Sequence, residues 1–358
     1  MKRFSIPPRE ERERHSHTMS AYAGIEFNQD KLEDNMWGYH RTVDQKVNIG
    51  SAFFQNEWKN EHWGFLIGGR LDKHNLIDHV IFSPRANLRY NPTENINLRF
   101  SYSSGFRAPQ AFDEDLHVEN VGGNVAMVEL ADNLKEERSQ SLSASADIYH
   151  RFGAFQVNFL VEGFYTKLSD VFALTDGEVV DGILTRTRYN APGARVMGLT
   201  LEGKMAYLTK FQVQAGVTLQ QSHYSEPHVW NKEAPAVKKM MRTPNTYGYF
   251  TATYTPIKPL SIALSGTYTG SMLVPHEPVP GFLEKPITVN TKDFFDIGLK
   301  AAYDFKLYKS MNLQVNAGVQ NIFNAYQNDF DKGADRDSGY IYGPSLPRSF
   351  FAGVKISY

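Results

Sequence analysis

Residues 310–320 read Ser310-Met311-Asn312-Leu313-Gln314-Val315-Asn316-Ala317-Gly318-Val319-Gln320. Leu313, Val315, Ala317 and Val319 take every second position, with Asn312, Gln314, Asn316, Gly318 and Gln320 between them. A period of two is the period of a β-strand, whose side chains point to opposite faces in turn. This strand therefore has one apolar face and one polar face. The pattern recurs at 295–306, where Phe295, Ile297, Leu299, Ala301, Tyr303 and Phe305 alternate with polar or small residues. It recurs at Phe211, Val213, Ala215, Val217 and Leu219, and again at Ile96, Leu98, Phe100 and Tyr102. No comparable stretch carries a 3.6-residue apolar stripe, so an all-β chain is expected.

About fourteen strands are predicted, near 17–28, 45–57, 62–73, 79–90, 95–106, 136–150, 154–172, 183–207, 209–224, 243–256, 258–272, 291–306, 310–324 and 346–358. Tight turns link them near 59–60, 91–93, 151–153, 208, 257 and 308. Long links fall at 29–44, 107–135, 173–182, 225–242, 273–290 and 325–345, with a brief one at 74–78. Short and long links alternate. In an up-and-down meander, alternate links lie at opposite ends of the strands, so one rim carries turns and the other large loops. That asymmetry is the mark of a transmembrane antiparallel β-barrel, with short periplasmic turns and long extracellular loops. Aromatics at presumed interfaces (Trp58, Trp63, Tyr90, Phe152, Phe155, Tyr207, Phe211, Tyr254, Phe305, Tyr308, Tyr358) suit headgroup depth. A soluble β-sandwich would alternate too, but it does not require the alternation of link lengths.

The composition narrows the classes further. The 358 residues carry a net charge of -1, which gives no electrostatic footprint for nucleic acid. Cysteine is absent, so neither disulfides nor thiolate chemistry is available. No apolar run is long enough for a membrane helix, which does not bear on barrels, since their lipid-facing residues occupy alternate positions only. Residues 1–16 are charged and lack the apolar core of a secretory leader, so they read as loop-like sequence ahead of a barrel over 17–358.

Five segments carry a resemblance. Ser104-Gly-Phe-Arg107-Ala-Pro resembles the FRAP segment of TonB-dependent outer-membrane receptors. Asn133-Leu-Lys-Glu136-Glu resembles their N-P-x-L-K-P-E box in degenerate form, with Asp132 before the Asn and Glu136 in place of the usual proline. Tyr189-Asn190-Ala-Pro-Gly193 followed by Gly198-Leu-Thr-Leu-Glu202 is similar to the Y-x-N-x-G…G-x-E-x-E strand. Asn321-Ile-Phe-Asn324 resembles the N-L-F-N turn, and the segment ending in Tyr358 resembles the family's aromatic terminal strand. The resemblance implies the C-terminal part of a plugged barrel of about 22 strands. No plug-like stretch or leader is recognised before it, so the sequence reads as a portion of such a receptor. It implies uptake of a large scarce nutrient (ferric siderophore, haem or cobalamin) in the bacterial outer membrane. The implied partners are outer-membrane lipid, the TonB system acting through a plug, the barrel-assembly machinery and a small-molecule or metal-chelate ligand. The alternative is a passive porin-like pore. Alone, the strands are expected to form an open sheet with two free edges and to transport nothing.

Enzymatic chemistry is not expected, because no hydrolase elbow, phosphate-binding loop or H-E-x-x-H occurs, and no cofactor is called for. Ligand-capture candidates are the loop aromatics and charges Arg107, Phe112, His117, His223, Tyr224, Trp230, His276, Tyr326 and Tyr340. His117 follows the FRAP segment, where haem-transporting members of the family place an iron ligand; a plain loop histidine is the alternative. The pairs His15/His17 and His223/His228 carry a weaker signal. Asp329, Asp331, Asp335 and Asp337 surround Gly333 and offer hard oxygen ligands for calcium, or simply a solvated acidic loop. Arg99, Lys300, Glu202, Asp147, Asp296 and Asp304 should line the lumen.

Overall fold

The computed structural model describes residues 18–36, 41–109, 125–175, 178–180, 183–308, 310–344 and 346–358. Fourteen strands make one wall. They are β1 Thr18–Met36, β2 Arg41–Lys59, β3 Trp63–His74, β4 Ile81–Thr93, β5 Ile96–Arg107, β6 Glu137–Phe152 and β7 Phe155–Ser169. The wall continues through β8 Ala194–Tyr207, β9 Phe211–His228, β10 Thr246–Ile257, β11 Leu260–Thr269, β12 Phe294–Tyr308, β13 Met311–Gln320 and β14 Ser349–Ser357. Each pairs antiparallel with its neighbours in chain order. Among the described residues β1 pairs only with β2 and β14 only with β13, so the sheet is open, with an edge at each end.

The register shows why these residues form this wall. One row of cross-strand partners runs Met19–Trp58–Phe65–Leu88–Phe100–Ala144–Gly163–Leu199–Leu219. The next row, one residue away, runs Thr18–Lys59–Gly64–Arg89–Arg99–Ser145–Glu162–Thr200–Thr218. A slip of one residue on any strand would carry charge into the apolar row, so the pattern fixes the register. At the other end, Val315 pairs with Tyr303 and Val354, and Leu313 with Phe305 and Ile356, on the apolar face. Asp304 accepts a 2.9 Å hydrogen bond from Gln314 on the polar one.

Among the described residues no second sheet covers the apolar face. Val315 is 41% exposed, and Phe54, Phe100, Phe159 and Leu199 are exposed with it. A sandwich would bury these side chains; here their only fitting medium is hydrocarbon. The polar face holds the predicted lumen charges. Glu202 and Lys204 form a 2.7 Å ion pair, and Asp147 accepts from Tyr149 at 2.8 Å. At the tight-turn end the apolar face carries paired aromatics: Trp63 stacked on Tyr90 at 4.1 Å, Trp58 stacked on Phe65 at 5.7 Å, and Phe155 tilted against Tyr207 at 4.6 Å. These form an interfacial girdle. The buried apolar clusters lie at the opposite end, beneath the loops. One joins Val274, Phe294, Tyr340 and Tyr342; the other joins Ile77, Ile81 and Ala108.

Long and short links alternate as expected, but three predicted spans differ. β1 and β2 continue as a paired arm through Met36 and Arg41, so the link predicted at 29–44 shrinks to 37–40. The span 154–172 stops at Ser169, because Asp170 takes a left-handed φ of 54°. The long strand 183–207 is two strands. Ile183–Ala191 leaves the wall, and the break falls at Gly193, whose place beside the Leu168 carbonyl has no room for a Cβ.

Candidate functional site

Ile183–Ala191 forms the spine of a small second sheet above the wall. Its first half pairs in parallel with Val125–Leu130 and its last residues pair antiparallel with Val171–Leu174. Asn190, from the Y-x-N segment, ties this sheet down. Its side chain donates to the carbonyls of Lys135 (3.1 Å) and Asp170 (2.8 Å) and accepts from the Lys135 amide (2.7 Å). Lys135 lies in the degenerate N-P-x-L-K-P-E box, so two motifs far apart in sequence meet at one side chain. Glu137 adds an anchor: one carboxylate oxygen accepts from the Phe172 amide at 2.9 Å and from Arg107 at 3.4 Å.

This packing leaves a cavity of about 270 Å³ between the second sheet and the ends of β5 and β9. Its walls are Arg107, Phe172, Arg186, Arg188, His228 and Trp230, with Leu174 and Thr175. Arg107 shares the strand face of the polar rows, so the cavity opens at the mouth of the lumen. The Arg107 guanidinium lies 4.8 Å from the centre of the Phe172 ring and that of Arg188 lies 5.8 Å from it. Arg188 is only 2% exposed. The buried indole N–H of Trp230 meets no acceptor among the described residues. His228 stands in the part of β9 that projects past the bilayer, and burial pushes its imidazole below the usual range. The cavity therefore combines fixed guanidinium charge, a neutral imidazole, an indole donor and flat aromatic walls. That set suits a planar anion, because a guanidinium donates in a fork and stacks on rings.

The other candidates are placed differently. Tyr224 is one ring from the cavity, 4.8 Å from His228. His223, its neighbour, faces the apolar side of the wall. Phe112 and His117 lie outside the described residues, as do His15 and His17. His276, in the link between β11 and β12, and Tyr340, in loop 321–348, are stacked at 3.8 Å, nearly parallel and buried where the two loops meet, with the His276 Nε2 2.9 Å from Asp331. Tyr326 is exposed on the same loop. The four loop aspartates do not converge. Asp329 accepts from the hydroxyls of Tyr340 and Tyr342, Asp331 partners His276, and Asp337 accepts from the Glu277 amide. Among the described residues no group of three or more acids or histidines could hold a metal.

The Asp329 clamp gives a pH prediction. Burial opposes its charge, but hydrogen bonds from Tyr342, Tyr340 and Gln327 outweigh that and hold its carboxyl below the usual range. Such a group stabilises the folded loop above its unfolded pKa, and that contribution is lost as pH falls through the folded value. Limited proteolysis should find loop 321–348 resistant until the pH drops below about 4, the ordinary carboxylate value. Tyr342→Phe should move the opening to higher pH. An unchanged midpoint would remove Asp329 from the clamp.

The sequence profile of the TonB dependent receptor-like, beta-barrel family matches residues 14–322. Among solved structures, a mutant of the ferric enterobactin receptor of Pseudomonas aeruginosa is similar at a TM-score of 0.64 and 18% identity, over 94% of this chain and 51% of that one. The siderophore receptor PirA of Acinetobacter baumannii gives 0.65 at 16% identity, over 94% and 52%. The FrpB iron transporter of Neisseria meningitidis gives 0.61 at 16%, again over 94% and 52%. At these identities the likeness shows the fold. The chain spans about half the length of these structures. A comparison with curated proteins gives no match.

Proposed function

Because this chain belongs to the TonB-dependent receptor-like β-barrel family, we propose that it forms wall and loops of an outer-membrane receptor importing an anionic iron chelate. The wall stands in the bacterial outer membrane with its long loops outside. The receptor binds no substrate for chemical change; its work is capture and passage. A plug domain, coupled to TonB and the inner-membrane proton gradient, releases the captured chelate inward. The observation that carries this reading is the convergence of Arg107, Arg186 and Arg188 with Phe172 and Trp230 at the lumen mouth. Three guanidinium groups there hold and orient a negatively charged ligand, while the flat rings cover its faces.

The cavity is small beside a whole ferric siderophore, so it takes one anionic arm and the surrounding loops take the rest. Ferric enterobactin, an anionic tris-catecholate, is a direct probe, with binding read from quenching of tryptophan fluorescence. Arg188→Gln should weaken binding at least tenfold, in line with about 1.5–3 kcal/mol for a charged hydrogen bond. Arg188→Lys should recover little, since an ammonium lacks the fork. Equal affinity in wild type and Arg188→Gln would sink the anionic-chelate reading.

A further inference from the structure

A second arrangement of basic side chains lies on the opposite side of the wall. One row of cross-strand partners runs Ser104–Gln140–Lys167–Arg195–His223–Lys239. Lys167, Arg195 and His223 share the strand faces of Tyr165, Met197 and Leu219, so they stand on the apolar, lipid-directed face. Lys239 joins them through its pairing with His223. On that face β5 to β9 carry no carboxylate, so the row is not neutralised by its neighbours. Four basic side chains on adjacent strands, about 4.8 Å apart, make a stripe about 15 Å wide.

Its depth follows from the register. Phe155, Tyr207 and Phe211 form the aromatic row at the turn end. Lys167, Arg195 and His223 each stand twelve residues along their own strand from that row (167 against 155, 195 against 207, 223 against 211). Twelve residues at about 3.3 Å each, tilted by about 40°, rise roughly 30 Å, the thickness of a hydrocarbon layer. The stripe therefore sits at headgroup level on the long-loop side. Directly below it lies a shallow apolar cavity of about 840 Å³, walled by Phe100, Leu142, Tyr165, Met197 and Leu199. Gly163 forms part of its floor, with open space where a side chain would stand.

We propose that this stripe and the groove beneath it are a seat for a doubly phosphorylated, multiply acylated lipid of the outer leaflet. The phosphates meet Lys167, Arg195, His223 and Lys239, and an acyl chain fills the groove over Gly163. A zwitterionic lipid with two chains matches neither the excess charge nor the breadth of the stripe. The inference rests on the outer-membrane reading above and is independent of the ligand imported.

The test uses the full chain refolded in detergent micelles doped with diphosphoryl hexa-acyl lipid A, monophosphoryl lipid A or phosphatidylcholine, with retained lipid counted by native mass spectrometry. The wild type should retain the diphosphoryl lipid in preference to phosphatidylcholine. Lys167→Gln with Arg195→Gln should cut that retention about thirtyfold, each cation near an anionic surface contributing about 1 kcal/mol. Gly163→Trp fills the groove from an open position and should cut it as well, with the charges intact. Brominated phosphatidylcholine, which quenches Trp58 and Trp63 where they touch lipid, reads the membrane wall separately. Quenching without any lipid preference overturns the seat and leaves the receptor reading standing. Absent quenching overturns both. Retention that ignores Gly163→Trp overturns the groove and reduces the stripe to unspecific charge.

Discussion

Leu201→Lys should destabilise the protein by about 2–4 kcal/mol, the penalty for a lysine facing lipid near the middle of a bilayer. Leu201 pairs with Val161 and Val217 on the apolar face, about midway between the aromatic row at Tyr207 and the cationic row at Arg195. Thr200→Lys, one residue earlier and on the polar face beside Glu162 and Thr218, should cost well under 1 kcal/mol, because lumen positions stay hydrated. Urea unfolding of both variants in lipid vesicles measures the difference. Its size matters less than its asymmetry: two equal penalties would mean that the faces do not meet different solvents, and the membrane wall would fall with that result.

Asn321→Ala should cost about 3 kcal/mol, concentrated in the loop that β13 and β14 carry. Asn321 is buried, has a φ of 49° and opens the N-I-F-N turn. Its side chain donates to the carbonyls of Ala325 (3.0 Å) and Leu346 (2.9 Å) and accepts from the Ala325 amide (2.7 Å). Alanine strands all three backbone groups away from water and also carries a Cβ into the left-handed region, which costs about 1 kcal/mol more. Asn321→Gly loses the same hydrogen bonds without that backbone term, so it should recover about 1 kcal/mol. Thermal unfolding together with proteolysis of residues 325–345 separates the two. Two variants of equal stability would show that the turn geometry is not what asparagine supplies. Asn324 repeats the device at φ 53°, accepting from the Arg348 amide at 2.9 Å, so both ends of the loop are held by one four-residue motif.

The wall was legible because its physics is local. Alternation at Leu313, Val315, Ala317 and Val319 needs no knowledge of any partner, and it put the right residues on each face. The loops were not legible in the same way. Arg186 and Arg188 alternate on a strand too, and their segment was read as more wall, because period two does not say which sheet a strand joins. What separates them is Gly193, where the chain passes too close to the Leu168 carbonyl for any side chain. That contact is long-range and leaves no periodic trace. Arg107 and Trp230 were found as loop charge and loop aromatic. Phe172 was missed because it lay inside a predicted strand boundary. His276 and Tyr340 looked like ligand contacts, since a histidine or tyrosine in a loop is exposed by default. Two loops, 270–293 and 321–348, instead pack against each other and keep the pair buried between them.

The neighbour-to-neighbour order of the wall also bears on how fast it can assemble. Each wall strand pairs with the wall strand next to it in chain order, the two end strands on one side only, so the mean separation of contacting residues is kept low for an all-β protein. Growth by adding one hairpin at a time pays only a short closure at each of the tight turns. The costlier closures are the excursions at 108–136, 170–193, 229–245, 270–293 and 321–348, and their entropy rises only logarithmically with length. The strands at 125–130 and 183–191 pair in parallel with each other, the pairing of greatest sequence separation among the described residues of the small second sheet. Refolding should accordingly run in two phases, with the wall forming first and the arginine cavity, which depends on that parallel pair, last.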